Sequence, residues 1–262
     1  MMSKRVIIIS LFVLLILVIP VNAAKITIYP TVDAVVARNI SSQPYPWDNW
    51  IAITAGDGTE VVDGVPFAIV GLDAAGLNDV SERTYELNRR YVTSFDFTTN
   101  NIPADATITS VVFGNRGEVT GIITPDWGIV DGTLTSNTSA PVMDDYQKIG
   151  NTELAPRILY ANWNNNDWNN YTFNTDGLTY ATQSKGGYLV LFFTSSWDID
   201  RTDGARDNWT VGRVTFNQVE KDGVVNTVDP FLEVTYSQPV PLPAPTVTGI
   251  TPSTGQDRKS VV

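Results

Sequence analysis

Short runs of β-branched and aromatic residues recur along this chain of 262 residues, separated by glycine, proline, asparagine and aspartate. Such runs favour strands and the residues between them favour turns, so the pattern indicates many short strands. Residues 91–97 alternate aromatic and polar side chains, as expected of a strand with one buried face. Residues 188–193 are apolar throughout, which predicts a strand buried on both faces. We therefore expect an all-β fold, an antiparallel β-sandwich of jelly-roll type.

Helical patterns are confined to two segments. Residues 82–90 and 179–184 are each predicted to form a turn or two of helix. The pair Gly186-Gly187 marks a turn that leads into the apolar strand. Further strands are predicted at 25–29, 33–38, 50–55, 108–114, 129–135, 170–173, 209–216 and 231–236.

The N-terminus has the order of a secretory leader. Lys4 and Arg5 precede an apolar run over residues 6–19, and small residues follow Pro20. A run of this length is too short to span a bilayer comfortably, so we predict a signal peptide over residues 1–23. The remaining chain is then expected to be secreted or attached to the cell surface, with no membrane span after leader cleavage.

The chain contains neither histidine nor cysteine, which excludes several kinds of chemistry. It can form no Ser–His–Asp triad, no thiolate nucleophile and no zinc site with imidazole or thiolate ligands. The formal net charge of −11 argues against binding to nucleic acid or anionic lipid, because like charges repel. It suits a soluble exterior protein, or one that binds divalent cations.

Composition also divides the chain into segments. Residues 24–237 are long enough for one large β domain, and residues 238–245 form a proline-rich linker that is expected to be extended. Residues 257–262 match the translation of a common sequencing adapter, and we interpret them as an artefact. We therefore expect the parent protein to continue beyond residue 256.

Residues 87–97 and 102–110 form a block with an arginine, a Phe-Asp pair and an Ile-Pro pair, and strand-like segments follow at 129–133 and 229–236. This block and the later strands resemble those of the carbohydrate-binding-module-like sandwiches called DNRLRE-like. The resemblance implies a β-sandwich module of a large surface protein, and it implies no catalytic residue. Residues 246–256 resemble the first strand of an immunoglobulin-like IPT/TIG domain, which would be truncated here.

An acidic segment over residues 197–207 is a candidate calcium site. Calcium prefers six to eight oxygen ligands, and carboxylates at alternate positions of a glycine-containing loop can supply them. The alternative is a solvated hairpin whose aspartates cap turns and pair with Arg201 and Arg206. We favour the hairpin, and no other cofactor is expected. The calcium ligands would be Asp198, Asp200, Asp203 and Asp207.

A segment rich in asparagine and tryptophan, residues 162–171, is a candidate glycan site. Aromatic rings stack on the CH groups of sugars, and amides hydrogen-bond their hydroxyl groups. Trp163 and Trp168 are five residues apart, so in an extended chain they point to opposite faces and at least one is buried. Core packing is therefore the favoured alternative for this pair. The glycan-binding candidates are Trp47, Trp163, Trp168 and Tyr171.

Two other motifs are common enough to arise by chance. Carboxylate pairs cleave glycosides, and Asp126, Asp144, Asp145, Asp198 and Asp200 are available, but an acidic chain brings some carboxylates together in any case. Acceptor sequons for N-glycosylation begin at Asn39, Asn137, Asn170 and Asn208, in a chain rich in asparagine, serine and threonine.

The sequence therefore predicts a non-catalytic module with a structural or adhesive role, and glycan binding is the specific hypothesis for its contacts. Its expected partners are a cell-surface or matrix polysaccharide or neighbouring surface proteins. The alternative is a secreted polysaccharide-active enzyme, a hydrolase or lyase that uses carboxylates. A third option is a component of a viral tail or receptor-binding structure, which the leader argues against.

Overall fold

Strands dominate the described part of the chain. The computed structural model describes residues 21–39, 54, 56–63, 67–76, 83–98, 102–121, 125–200, 212–217 and 228–239, and the statements below concern these residues. Residues 22–238 form one unit. The strands are β1 (Val21–Ile28), β2 (Val32–Asn39), β3 (Glu60–Asp63), β4 (Phe67–Gly76), β5 (Arg83–Asp96), β6 (Thr107–Gly121), β7 (Trp127–Gly132), β8 (Ile149–Glu153), β9 (Asp167–Thr172), β10 (Tyr188–Ser195), β11 (Gly212–Asn217) and β12 (Phe231–Pro239).

Helical elements are short. The α-helix α1 (Thr175–Gln183) begins after Asn174, whose side chain accepts a hydrogen bond from the backbone N–H of Gly177. A single α-helical turn, α2 (Ser196–Ile199), directly follows β10. There are two 3₁₀ helices: η1 (Met143–Lys148) connects β7 to β8, and η2 (Tyr160–Asn162) lies between β8 and β9.

Two groups of antiparallel strands form the layers of the fold. Sheet I has the order β3-β2-β5-β10-β7-β8, and sheet II has the order β1-β12-β6-β9. The pair β4 and β11 joins them, because β4 pairs with the start of β5 and β11 pairs with the end of β6. These ladders confirm the predicted all-β antiparallel fold, whereas the jelly-roll topology stays a prediction.

The main core lies between sheet I and sheet II. Phe95 of β5 meets Phe113 of β6 with ring centroids 6.2 Å apart, and Tyr171 of β9 meets Phe193 of β10 at 6.0 Å. Trp127 stacks on the same Phe193 at 5.6 Å. These contacts bury the inward faces of both layers, and burial of aromatic area is the main stabilising term for a chain without disulfides.

Sheet I is buried on its outer face as well. A second apolar cluster covers that face, with Val92, Val190 and Phe192 beneath Tyr146 of η1. Residues 189–193 of β10 are therefore all buried, which confirms the prediction that this strand is covered on both sides. Sheet II presents the outer face on which the polar and half-exposed residues described next are found.

One predicted element is wrong within the described residues. The helix predicted over 82–90 is not formed, because residues 83–90 are the first part of β5, where Arg89 pairs with both β2 and β4 and Arg90 pairs with β2. The predicted strand 50–55 falls almost entirely outside the described residues, and its Thr54 is helical. The predicted helix 179–184 is confirmed as the second half of α1. The linker beyond Pro239, residues 246–262 and most of the leader also lie outside the described residues.

Candidate functional site

The outward face of sheet II carries a regular array of side chains. Alternation along each strand sends every second residue outward, because side chains of a strand point to opposite faces in turn. The neighbouring buried residues, such as Phe113, Tyr171 and Leu232, point into the core. The outward residues are Val112, Gly114 and Arg116 on β6, Trp168, Asn170 and Thr172 on β9, and Phe231, Glu233 and Thr235 on β12.

Gly114 lets two aromatic rings meet at the centre of this face. It pairs with Asn170 on one side and with Phe231 on the other. A Cβ atom at position 114 would lie 2.4 Å from Cζ of Phe231 and 3.1 Å from Oδ1 of Asn170. The ring of Phe231 therefore covers the glycine and reaches Trp168, with centroids 4.8 Å apart and planes at 69°. Both rings are half-buried, so each keeps a part of its surface open to solvent.

An arginine lies next to this ring pair. Arg116 is directly opposite Trp168 in the register of β6 and β9. Its Nε donates a hydrogen bond of 2.7 Å to the backbone carbonyl of Asn166, whose φ of 59° lies in the left-handed region that asparagine tolerates. The N–H of Asn166 is bonded in turn to the carbonyl of Gly117 at 2.8 Å. We call Arg116, Trp168, Asn170 and Phe231, grouped around Gly114, the platform.

The predicted glycan-binding aromatics are divided between the platform and the core. Trp163 is only 8% exposed and its Nε1 faces the carbonyl of Gly117 at 3.4 Å. Tyr171 is 1% exposed and donates its hydroxyl proton to the carbonyl of Trp127 at 3.3 Å. Neither ring presents a face on which a sugar can stack. Of the tryptophan pair, Trp163 therefore follows the core alternative, whereas Trp168 is only half-buried. Trp168 alone of the described candidates lies on an outward face, and Trp47 lies outside the described residues.

Two of the candidate calcium ligands, Asp198 and Asp200, are described by the structure, and both form ion pairs with arginines. Asp198 is 1% exposed and forms a bidentate ion pair with Arg90, with distances of 2.6 and 2.7 Å. Both carboxylate oxygens of Asp200 accept hydrogen bonds from Arg157. The other residues of this segment that the sequence singled out lie outside the described residues: Asp203, Asp207, Arg201 and Arg206. Within the described residues, no group of three or more acidic residues is close enough to hold a metal ion. The favoured hairpin and the alternative calcium site therefore both stay hypotheses.

Arg90 is the centre of a buried polar cluster on the outer face of sheet I. Its guanidinium also donates to the carbonyls of Thr54, at 3.1 Å, and Tyr146, and its Cζ lies 3.9 Å from the centroid of the Tyr146 ring. Asp198 accepts a further hydrogen bond from Thr194 at 3.0 Å. Burial lowers the pKa of Arg90, but the charge and hydrogen bonds of Asp198 and the interaction with Tyr146 together outweigh burial, and the net shift is upward. Burial raises the pKa of Tyr146 to about 12. Both groups therefore keep their usual protonation state at neutral pH.

The remaining carboxylates that the sequence offered for acid–base chemistry are not gathered at one place. Asp145 is fully buried, and its oxygens accept hydrogen bonds from Thr135, Val142 and Lys148. Asp126 accepts from the backbone N–H of Tyr160 at 3.1 Å, next to η2. Asp144 is exposed. These contacts are those of turn and helix ends.

A separate cleft of about 450 Å³ opens beside the C-terminal end of α1. Lys185 in its wall donates to the carbonyls of Ala104 and Ala106, at 2.9 and 2.7 Å, and so fixes the turn before β10. Tyr180 donates its hydroxyl proton to the carbonyl of Gly132 at 2.8 Å. The cleft contains none of the aromatic residues that the sequence singled out. Its lining includes Leu134, Asn137, Tyr180, Lys185, Tyr188 and Val190.

The chain matches no family model and no curated protein. The described part of the chain has no helix with the length and apolarity needed to cross a bilayer. The function must therefore be argued from the geometry of the platform.

Proposed function

We propose that this chain is a non-catalytic module of an extracellular protein that binds a glycan on the platform. One observation carries the proposal: Trp168 and Phe231 form a half-open aromatic pair on the outer face of a sheet, with an amide and a guanidinium beside it. Sugars expose both CH faces and hydroxyl groups, and such a surface offers a partner for each. The resemblance to carbohydrate-binding-module-like sandwiches supports the same conclusion.

The shape of the platform supports binding without turnover. Its residues lie on three adjacent strands whose ladders fix them, so little ordering is needed when a ligand binds. Hydrolysis of a glycoside needs two converging carboxyl groups. Asp198, Asp200 and Asp145 instead hold Arg90, Arg157 and Lys148 in ion pairs. A structural or adhesive role in a secreted or surface-attached parent protein follows from this proposal.

Affinity electrophoresis tests the proposal. The purified protein is run through gels that contain single polysaccharides, and the same mixtures are assayed for new reducing ends and unsaturated products. We expect retardation by at least one polysaccharide, no new ends, and loss of retardation in Trp168→Ala. Tyr160→Ala is the matched control, because Tyr160 is 46% exposed and lies outside the platform.

Three results would contradict the proposal. If Tyr188→Ala in the cleft abolishes retardation and Trp168→Ala does not, the ligand binds in the cleft instead. Product formation by the purified protein would show an enzyme, which is the alternative function. A protein that no polysaccharide retards would leave the platform without the proposed ligand.

A further inference from the structure

We propose that Asn170 is an N-glycosylation site and that the attached glycan covers the platform, so that modification controls ligand binding there. The inference rests on the proposed function for its regulatory part only. It starts from the sequon Asn170-Tyr171-Thr172, which sequence composition alone cannot distinguish from a chance match. The structure distinguishes the sequons by the surroundings of their asparagines.

Asn170 is open to modification. Its side chain is exposed on the outer face of sheet II and makes no hydrogen bond to another described residue. Thr172, the third residue of the sequon, is also exposed on this face. Asn137 differs, because it is only half-exposed and its Oδ1 is buried without a partner. A glycan on Asn170 can therefore be accommodated by the folded domain, and Asn137 is the less open of the two.

The residue two positions before Asn170 gives the glycan a surface on which to lie. Residues two apart on a strand share a face, so Trp168, Asn170 and Thr172 point outward together. The first sugar attached to Asn170 would lie beside the rings of Trp168 and Phe231, which meet over Gly114. At the other sequons in the described part of the chain, Ala37 precedes Asn39 and Thr135 precedes Asn137 by two positions. Neither offers an aromatic ring.

The reaction needs a lipid-linked oligosaccharide and its membrane-bound transferase, which an exported chain meets during translocation. A bond forms between Nδ2 of Asn170 and C1 of the first sugar, and the bond from C1 to the phosphate oxygen of the lipid breaks. The lipid phosphate leaves, and the amide nitrogen loses one proton to a base of the transferase. The attached sugar then stacks on Trp168 and excludes free glycan from the platform.

The test compares the full chain secreted from a eukaryotic cell with the same chain from a bacterial host that lacks the transferase. Mass spectrometry of glycopeptides is expected to show modification at Asn170 and less at Asn39 and Asn137. The glycosylated protein should melt at a higher temperature than the bacterial product, and Trp168→Ala should remove that difference. Modification at Asn39 or Asn137 with none at Asn170 would overturn the proposal.

Affinity electrophoresis of the same samples tests the regulatory part. The glycosylated protein should lose retardation, whereas secreted Thr172→Ala, which keeps the asparagine but not the sequon, should be retarded like the bacterial product. Equal retardation of the modified and unmodified proteins would overturn control by the glycan. If the bacterial product itself is not retarded, the proposed function fails, while the mass spectra still decide whether Asn170 is modified.

Discussion

The guanidinium of Arg90 and the carboxylate of Asp198 form a bidentate ion pair in which neither side chain is exposed to solvent. Arg90 lies within β5, and the single helical turn α2 places Asp198 over the outer face of the sheet. The backbone N–H of Asp198 donates a hydrogen bond of 3.3 Å to Oγ of Ser195, and this bond orients the residue so that its carboxylate faces Arg90. The pair therefore fastens the end of β10 to the middle of β5.

Removal of one partner of the Arg90–Asp198 ion pair should lower the free energy of unfolding substantially. Asp198→Ala leaves a buried guanidinium without its counter-charge, and we expect a loss of about 3–5 kcal/mol of unfolding free energy, measured by urea denaturation. Asp200→Ala is the control, because its pair with Arg157 is solvent-exposed and should contribute about 1 kcal/mol or less. The double variant Arg90→Met, Asp198→Leu should recover most of the loss. Equal effects of the two single variants would contradict this account.

Calcium should have little effect on stability. Asp198 and Asp200, two of the four candidate ligands, are engaged with Arg90 and Arg157. We therefore expect the melting temperature of the chelated protein to stay the same when millimolar Ca²⁺ is added. A ligand that binds only the folded state raises the melting temperature, so an upward shift would show a calcium site and refute this expectation.

Asp145 should contribute to the loss of stability in acid. Burial alone would raise its pKa, but hydrogen bonds from Lys148, Thr135 and the N–H of Val142 outweigh burial and hold the pKa below the usual value. A carboxylate with a lowered pKa stabilises the folded state above about pH 4, and this contribution is lost as the pH falls further. We expect Asp145→Asn to unfold with a shallower dependence on pH below about pH 5.

The matched control for Asp145→Asn is Asp144→Asn at the adjacent, exposed carboxylate. Urea titrations at several pH values should give this control the slope of the wild-type protein. A slope that changes equally in both variants would show that the buried hydrogen bonds of Asp145 are not responsible.

The two tryptophans of the asparagine-rich segment should differ in their effect on stability. Trp163 packs against Phe193 at 6.2 Å within the main core, so Trp163→Ala should cost about 3–5 kcal/mol. Trp168 is half-buried and contacts Phe231 on the surface, so Trp168→Ala should cost about 1–2 kcal/mol. Chemical denaturation measures both. If Trp168→Ala fails to fold, its ring is structural and the platform loses its main element.

Gly114 should be required for the ring pair. Alanine at this position would place Cβ 2.4 Å from Cζ of Phe231, so that ring must move away from Trp168. We expect Gly114→Ala to keep a cooperative unfolding transition but to lose glycan retardation. Retention of binding at wild-type strength would show that the ligand does not need the pair.

The local sequence pattern is sufficient to predict the strands that bury one complete face or both faces. The apolar run of β10 and the alternation of residues 91–97 reflect which side chains are buried, and the hydrophobicity of each residue indicates this without knowledge of the rest of the fold. The predicted helix over 82–90 is wrong for residues 83–90, because charged residues are typical of a solvated helix, whereas Arg90 is buried in an ion pair with Asp198, 108 positions away. A prediction from a short stretch of sequence cannot include a partner so far along the chain.

The platform shows the same limit. The spacing of Trp163 and Trp168 predicted opposite faces, and the structure places the first in the core and the second outward. It could not predict which ring would be inside. Phe231 and Arg116 join Trp168 through the register of β12, β6 and β9, and strand register depends on the whole fold.

The most direct test of the account is an NMR titration of ¹⁵N-labelled protein from the bacterial host. The ligand is an oligosaccharide derived from the polysaccharide that retards the protein in the gel. The indole N–H signals of the seven tryptophans of the protein report where it binds. Trp168→Phe assigns the signal of the platform. The account predicts that this signal shifts most, while those of the buried Trp127 and Trp163 stay in place. A Trp168 signal that does not move while amides around Tyr188 shift would contradict it.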